Sequence, residues 1–245
     1  MEISGRRILI TGAGRGLGRA LAIACARAGA REVIAAARRM EDAGALPAAA
    51  GRSAGRIRPM RLDVTRDEDA RDAASLGRVD ILINNAGAIA FGGALKGRMD
   101  EILREVEVNY LGVLRMVRWL APTMAERGDG MIVNVASQLA RVSAPAVGTY
   151  CATKAALLSL SQALRGDLAD RGVRVIAVLP GAIDTDMTRG LDIPKMAPEE
   201  AAVEILQAIR DETIEAPIGD EARRTLAGLA ADPLDLEKRF ARFRA

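Results

Sequence analysis

Short apolar segments alternate with longer helical patterns along almost the whole chain, and this alternation constrains the fold more than any other feature. The apolar segments are rich in valine and isoleucine and do not alternate with polar residues, so we expect buried strands. The predicted strands are residues 7–11, 32–37, 57–64, 79–84, 131–137 and 173–179. The predicted helices are residues 16–29, 65–76, 99–127 and 149–171. Repeated strand-then-helix units predict an α/β protein with a doubly wound parallel sheet in three α/β/α layers.

Composition excludes several classes of chemistry. The 245 residues contain no histidine, which excludes Ser-His-Asp and Cys-His hydrolases and HExxH metalloproteases. The two cysteines, Cys25 and Cys151, form no CxxC pair, and we therefore expect no metal site. The net charge is only +3 and the aromatic content is 2%, so we expect no nucleic-acid partner.

The sequence carries no recognisable targeting or membrane-spanning signal. Its first residues lack the apolar stretch of a signal peptide, and no apolar run reaches the ~18 residues of a membrane helix. We expect a cytoplasmic protein with no membrane partner. The end of the chain is nevertheless basic and amphipathic, with Leu236, Phe240, Phe243, Lys238, Arg239, Arg242 and Arg244. We favour a helix docked on the core or on another subunit over one lying on a membrane surface.

A glycine-rich turn connects the first predicted strand to the first predicted helix. Gly12, Gly14, Gly16 and Gly18 lie within seven residues. Glycines permit a tight turn and a close approach of the backbone to a ligand, and the helix N-terminus offers free N–H groups to an anion. At this place in a βαβ series, the turn predicts a site for the diphosphate of a dinucleotide.

A tyrosine and a lysine four residues apart share one face of a predicted helix. Tyr150 and Lys154 lie in the helix 149–171. A tyrosine hydroxyl, with a pKa of ~10, exchanges protons poorly at neutral pH. A nearby ammonium favours the phenolate, so we expect Lys154 to lower the pKa of Tyr150. Ser137, at the end of a predicted strand, is expected to hydrogen-bond the reacting oxygen.

Six motifs in order resemble the short-chain dehydrogenase/reductase family over roughly residues 5–212. They are T-G-x3-G-x-G at 11–18, N-N-A-G at 84–87, Asn109, Ser137, Tyr150-x3-Lys154 and Pro180-Gly181. The resemblance implies a Rossmann fold and a hydride transfer between a nicotinamide cofactor and a substrate carbon. It also implies that Tyr150 exchanges the proton of the substrate oxygen and that Lys154 binds the nicotinamide ribose. Asn109, which could otherwise bind a backbone carbonyl, is implied to hold a water molecule of the proton relay.

The resemblance also assigns the cofactor and substrate sites. The cofactor residues so implied are Gly12, Gly14, Arg15, Gly16, Leu17, Gly18, Ala37, Arg38, Arg39, Asp63, Val64, Asn85, Ala86, Gly87, Tyr150, Lys154, Pro180, Gly181, Ile183 and Thr185. The substrate residues are Ser137, Gln138, Leu139, Val147, Ala182 and Met187, which suggest an apolar pocket without a cation for a carboxylate. Residues 1–245 are expected to form one domain, with 1–136 mainly binding the cofactor and 137–245 carrying catalysis and substrate binding.

The end of the second predicted strand bears on the choice of cofactor. In NAD-preferring relatives an acidic residue stands there and binds the ribose hydroxyls. This chain has Ala37, followed by Arg38 and Arg39, and Arg15 lies in the glycine turn. Guanidinium groups pair with a 2′-phosphate, so we expect NADP(H), with NAD(H) as the alternative.

The sequence therefore predicts an NADP(H)-dependent oxidoreductase that interconverts a carbonyl compound and an alcohol. An NAD-dependent secondary-alcohol dehydrogenase is the first alternative, and a nicotinamide-binding regulatory protein is the second. Many relatives end in a glycine-rich strand that forms tetramer contacts, whereas residues 214–219 here precede a helical pattern. We expect a homodimer through the helices 99–127 and 149–171, with a homotetramer as the alternative.

Overall fold

The computed structural model describes residues 1–243, in which seven strands alternate with helices. The strands are β1 (Arg7–Thr11), β2 (Glu32–Ala37), β3 (Ile57–Arg61), β4 (Ile81–Asn84), β5 (Gly130–Val135), β6 (Val173–Pro180) and β7 (Glu215–Ile218). The first helices are α1 (Gly16–Arg27), α2 (Met40–Gly44), α3 (Leu46–Ala50), α4 (Asp67–Ala74), α5 (Gly93–Lys96) and α6 (Met99–Val106). The remaining helices are α7 (Gly112–Arg127), α8 (Gly148–Leu168), α9 (Pro198–Arg210), α10 (Asp220–Ala231) and α11 (Pro233–Phe240).

The strands form one parallel sheet in the order β3-β2-β1-β4-β5-β6-β7. Leu9 of β1 pairs with Ile34 of β2 on one side and with Leu82 of β4 on the other. The chain first builds outward from β1 to β3 and then restarts at β4 in the opposite direction. The prediction of a doubly wound parallel sheet is confirmed, and β1 and β4 form its topological switch point.

Helices cover both faces of the sheet, which explains why its strands are apolar throughout. Ile8 and Ile10 pack in a buried cluster that includes residues of α1 and α9. Leu9 points to the opposite face and packs with residues of α4, α7 and α8. Successive side chains of a strand alternate between faces, so a strand covered on both sides needs a continuous apolar run.

The seventh strand was not predicted. Residues 215–218 form β7, which pairs in parallel with the outer edge of β6 before the chain enters α10. The segment is only four residues long and contains Pro217, which lowers its strand propensity. Proline is tolerated at this place because β7 is an edge strand, where one side of the backbone needs no ladder partner.

Two other predicted elements differ from the structure near the cavity described below. The predicted helix 99–127 contains a π-helical turn at Glu107–Leu111 that separates α6 from α7. The predicted strand 131–137 ends at Val135. Ser137 instead has an extended backbone, and its Oγ accepts a hydrogen bond from Leu139 N at 3.1 Å, which begins a 3₁₀ turn. A polar side chain at a strand end serves as such a cap, which the apolar pattern does not reveal.

The basic amphipathic end docks on the rest of the chain. Asp232 caps α11 by accepting hydrogen bonds from two backbone N–H groups, and Leu236 is fully buried. Phe240 and Phe243 pack against a cluster around Tyr150. The interpretation as a core-docked helix is confirmed for the described residues. Arg244 lies outside them. None of the helices within residues 1–243 is both long and apolar enough to cross a membrane.

A buried chain of polar side chains joins the centre of the sheet to α8. Asn84 Nδ2 on β4 donates to Asn134 Oδ1 on β5 at 2.9 Å. Asn134 Nδ2 donates to Ser161 Oγ on α8 at 2.9 Å, and Ser161 Oγ donates to the carbonyl of Leu157 at 2.7 Å. Because all three polar side chains are fully or almost fully buried, each bond also prevents an unsatisfied polar group.

We predict that Asn134→Leu lowers the free energy of unfolding by about 1–3 kcal/mol, since Asn84 Nδ2 loses its acceptor inside the sheet. Urea denaturation followed by circular dichroism measures the change. The double variant Asn84→Leu/Asn134→Leu removes both partners and should recover part of the loss. A single variant as stable as the wild type would contradict this role of the network.

Candidate active site

A cavity of about 770 Å³ lies at the carboxyl ends of the strands, around the switch point between β1 and β4. Every residue that the sequence analysis assigned to the cofactor or to the substrate lines this cavity. Among the catalytic candidates, Ser137, Tyr150 and Lys154 line it, and Asn109 does not. The fold therefore brings together strand ends that are far apart in sequence, from that of β1 at Thr11 to that of β6 at Pro180.

The glycine turn leaves no space for side chains. A β-carbon at Gly18 would lie 2.2 Å from the carbonyl oxygen of Gly12, and Gly12 and Gly16 have φ angles of +66° and +52°. Helix α1 begins at Gly16 without a side-chain cap and without an acidic residue in its first turn. Its first N–H groups are thus available to an anion at the cavity wall, as the site of a diphosphate requires.

Thr11 fixes the loop after β4 against the glycine turn. Its Oγ1 accepts hydrogen bonds from the backbone N–H groups of Asn85 at 3.0 Å and Ala86 at 3.1 Å. Asn85 Nδ2 in turn donates to the carbonyl of Thr11 at 2.9 Å. These bonds satisfy the polar groups where two strands separate, and they hold the edges of the cavity on both sides of the switch point.

Helix α8 presents Tyr150 and Lys154 to the cavity, opposite the end of β5. Both side chains are at least nine-tenths buried. Lys154 Nζ donates to the carbonyl of Val135 at 2.8 Å and lies 5.6 Å from the centroid of the Tyr150 ring. The hydroxyl of Ser137, just after β5, lies close enough to Tyr150 to favour the ionised form of the phenol. Serine, tyrosine and lysine therefore form one buried polar group at the inner end of the cavity.

Burial controls the protonation of this group. It raises the pKa of Tyr150 well above its usual range, and the nearby Ser137 hydroxyl opposes this change only in part. It lowers the pKa of Lys154 to about 8. The expected lowering of the Tyr150 pKa by Lys154 is not found. The ammonium is directed to the Val135 carbonyl rather than to the phenol oxygen, so desolvation outweighs its attraction for a phenolate.

Asn109 lies in the π-helical turn and is fully buried. Its Oδ1 accepts from the N–H of Ala88 at 2.8 Å, and its Nδ2 donates to the carbonyl of Ala88 and to Thr153 Oγ1, both at 2.9 Å. These contacts fix the loop after β4 to α8. They correspond to the alternative of a backbone-binding asparagine, and a role in holding a water molecule stays a prediction.

The arginines expected to bind a 2′-phosphate differ in their surroundings. Ala37 ends β2 beside them, so no carboxylate occupies the strand end. Arg15 pairs with Asp186 at 3.0 Å, and Arg39 pairs with Asp42 at 2.8 Å. Arg38 makes no ion pair with any residue that the structure describes. Among these three arginines, Arg38 is thus the one most available to a ligand.

Sequence reasoning missed the contribution of the C-terminal region to the cavity. Phe240 and Phe243 line it, and the carbonyl of Phe243 accepts a hydrogen bond from Ala146 N at 3.2 Å. Two further cationic residues, Arg104 and Arg239, also line the cavity. The spacing of Phe240 and Phe243 in the amphipathic end indicated that this segment has a buried face. An amphipathic pattern does not indicate which surface of the protein that face covers.

Glu221 forms a polar wall that the sequence did not indicate. This residue of α10 accepts hydrogen bonds from Gln138 Nε2 at 2.8 Å and from the N–H of Ala182 at 3.2 Å. Gln138 Oε1 is buried without a hydrogen-bond partner. The wall of the cavity therefore contains a buried amide oxygen without a hydrogen-bond partner among the described residues.

No cluster of metal-ligating side chains occurs among the described residues.

The family model for short chain dehydrogenase matches residues 6–195. D-erythrulose reductase from Gallus gallus is 37% identical over 192 residues, which cover 77% of this chain and 76% of that protein.

Two solved structures extend the comparison to almost the whole chain. A short chain dehydrogenase from Burkholderia cenocepacia J2315 in complex with NADP superposes with a TM-score of 0.89 at 39% identity, covering 98% of this chain and 99% of that one. A 3-ketoacyl-(acyl-carrier-protein) reductase from Brucella melitensis complexed with NADH superposes with a TM-score of 0.80 at 29% identity, covering 88% and 97%.

We predict that Gly16→Val abolishes binding of NADPH in a protein that still folds. A β-carbon at Gly16 would lie 3.0 Å from Thr185 Cγ2, and the added methyl groups would fill the gap in which we expect the diphosphate. The matched control is Gly51→Val, because Gly51 has a similar φ of +58° but open space around it. Both variants should lose about 1–2 kcal/mol of stability from backbone strain. Calorimetry showing unchanged affinity in folded Gly16→Val would contradict the assignment.

Proposed function

Because the chain belongs to the short chain dehydrogenase family and is an NAD(P)-dependent oxidoreductase, we propose that it reduces a carbonyl compound to an alcohol with NADPH. The observation that carries this proposal is the convergence of Ser137, Tyr150 and Lys154 on the cavity that also contains the glycine turn. A nicotinamide-binding regulatory protein would need the glycine turn but no acid–base group. The NAD-dependent oxidation of an alcohol remains the alternative within the family.

The three side chains have separate roles in the proposed reaction. A bound nicotinamide cofactor supplies the hydride. Tyr150 donates the proton to the carbonyl oxygen, and Ser137 orients that oxygen by a hydrogen bond. The raised pKa of Tyr150 keeps its phenol protonated at neutral pH, which is the form that a reduction needs. Lys154, whose ammonium donates to the carbonyl of Val135, would bind the ribose hydroxyls, as the family resemblance implies.

The residues present fit a dinucleotide. The uncapped start of α1 and the glycine turn would hold the diphosphate. Asp63 and Val64 would contact the adenine, and the loops that follow β4 and β6 would contact the nicotinamide half. Those loops contain the cofactor candidates Asn85, Ala86, Gly87, Pro180, Gly181, Ile183 and Thr185.

The preference for NADPH rests on the end of β2. A carboxylate at the position of Ala37 would repel a 2′-phosphate. The alanine there and Arg38, which forms no ion pair within residues 1–243, favour the phosphorylated cofactor. The Burkholderia relative binds NADP, whereas the Brucella reductase binds NADH, so both cofactors occur on this fold.

The substrate is proposed to be a small carbonyl compound with an apolar group. Leu139 and Val147 line the inner cavity, and Phe240 and Phe243 narrow it from the C-terminal side. Ala182 and Met187 complete the substrate candidates from the loop after β6. One relative is a D-erythrulose reductase, so small hydroxyketones belong in the first substrate panel beside apolar ketones.

We further propose that the chain forms one domain, in which residues 1–136 mainly bind the cofactor and residues 137–245 carry catalysis and substrate binding. We also propose that the protein is a homodimer. Leu95 on α5 is 98% exposed, and Met99, Leu103 and Val106 form an exposed apolar stripe on α6. Contiguous exposed apolar surface favours a protein interface. This stripe belongs to the first of the two helical regions that the sequence suggested for the dimer.

We predict that Tyr150→Phe binds NADPH with unchanged affinity and loses about 10²–10⁴-fold in kcat, because the ring stays and only the proton donor is removed. NADPH absorbance with an identified ketone measures turnover, and fluorescence titration measures cofactor binding. Full turnover in Tyr150→Phe would refute the proposed proton donor.

We predict that the wild type binds NADPH more tightly than NADH and that Ala37→Asp/Arg38→Ala removes this preference. The variant adds a carboxylate beside the ribose and removes a charge-assisted pair of ~1.5–3 kcal/mol, which is about 10–150-fold in binding. Equal wild-type dissociation constants for the two cofactors would instead place the NAD-dependent alternative first.

A further inference from the structure

An acidic residue stands inside the arginine cluster at the end of β2. Asp42, on the short helix α2, lines the cavity together with Arg15, Arg38 and Arg39. Its carboxylate accepts two hydrogen bonds from Arg39, from Nε at 3.0 Å and from Nη2 at 2.8 Å. The sequence analysis looked for an acidic residue only at the end of the strand, where Ala37 stands.

The backbone places this carboxylate beside the expected adenosine ribose. A β-carbon built on Gly14 of the glycine turn would lie 2.5 Å from Asp42 Cβ and 3.3 Å from Ala37 Cβ. Gly14, Ala37 and Asp42 therefore meet at one point, where the glycine turn faces the carboxyl end of β2. An ionised side chain at this point would face the substituent that distinguishes NADP from NAD, with the adenosine ribose bound as the family resemblance implies.

The charges of the cluster are coupled to Asp42. The hydrogen bonds from Arg39 hold the pKa of the Asp42 carboxyl below its usual range, and the charges of Arg39, Arg15 and Arg38 act in the same direction. Asp42 is therefore ionised at neutral pH. A bidentate arginine–carboxylate pair also occupies the donor fork of Arg39, which can no longer present the same face to a phosphate.

We propose that Asp42 withholds Arg39 from the cofactor and thereby limits the preference for NADPH, with Arg38 as the principal ligand of the 2′-phosphate. The carboxylate repels a phosphate and tolerates a ribose hydroxyl, so the subsite discriminates less than three free arginines would. This inference rests on the proposed function, namely that a nicotinamide dinucleotide binds in the cavity.

The test is a calorimetric titration of NADPH and NADH into wild type, Asp42→Asn and Glu41→Gln. Asp42→Asn keeps the side-chain size and removes the charge, and it should tighten NADPH binding about 3- to 10-fold while NADH binding changes less than about twofold. Glu41 is the matched control, because it is an adjacent exposed carboxylate that does not line the cavity. Glu41→Gln should change the ratio of the two dissociation constants by less than about twofold.

Arg39→Gln separates release of Arg39 from a general change in charge. In the wild-type background it should weaken NADPH binding less than about twofold, since Arg39 is already paired. In the Asp42→Asn background it should remove most of the gain, because the freed guanidinium is then the new phosphate ligand. An equal effect of Arg39→Gln in both backgrounds would overturn the proposal.

Other outcomes are equally decisive. Weaker or unchanged NADPH binding in Asp42→Asn would show that Asp42 orients Arg39 for the phosphate or has no effect, and it would overturn the inference. A parallel change for NADPH and NADH would overturn it too. A wild-type protein that binds neither cofactor would refute the proposed function itself, whereas binding of both without a shifted ratio would refute only the role of Asp42.

Discussion

The close approach of backbone to backbone at the glycine turn is the constraint on which the rest of the site depends. Gly18 lies against the carbonyl of Gly12, and Gly12 lies against Ala86 of the loop after β4, so that a β-carbon on either glycine would meet main-chain atoms within 2.8 Å. This contact joins the two strands at which the sheet changes direction. It leaves the start of α1 uncapped at the cavity and aligns the loop that Thr11 and Asn85 hold. The close contacts that shape the expected anion site are therefore made by glycines and backbone atoms.

At the other end of the cavity, desolvation decides the chemistry. Tyr150 and Lys154 share one face of α8, but burial acts on them in opposite directions, raising the pKa of the phenol and lowering that of the ammonium. Both shifts favour the neutral side chains. A protonated phenol and a lysine anchored to a backbone carbonyl suit the delivery of a proton to a carbonyl oxygen. The protonation of the site thus follows from its low polarity more than from any single ion pair.

The parts of this molecule that the sequence predicted well are those that depend on local patterns. The continuous apolar strands, the glycine turn and the i, i+4 spacing of Tyr150 and Lys154 each leave a local signal, and together they predicted the fold and the residues around the cavity. The edge strand β7 left no such signal, because its stability comes from pairing with β6. Asp42 and Glu221 also left no local signal, because only the tertiary fold brings α2 and α10 to the cavity. The expectation that Lys154 lowers the pKa of Tyr150 was wrong, because the sequence spacing indicates that the two side chains are close but does not indicate how deeply they are buried.

The most direct test of the account is the transfer of isotope from cofactor to product. The protein is incubated with NADPH in which both hydrogens at C4 of the nicotinamide are replaced by deuterium and with a panel of small ketones, and the products are analysed by mass spectrometry. The account predicts an alcohol that carries one deuterium on the carbinol carbon, with a slower rate than unlabelled NADPH gives if the hydride step limits turnover. Tight binding of NADPH without any labelled alcohol across a broad panel of carbonyl compounds would contradict it and would favour the regulatory alternative.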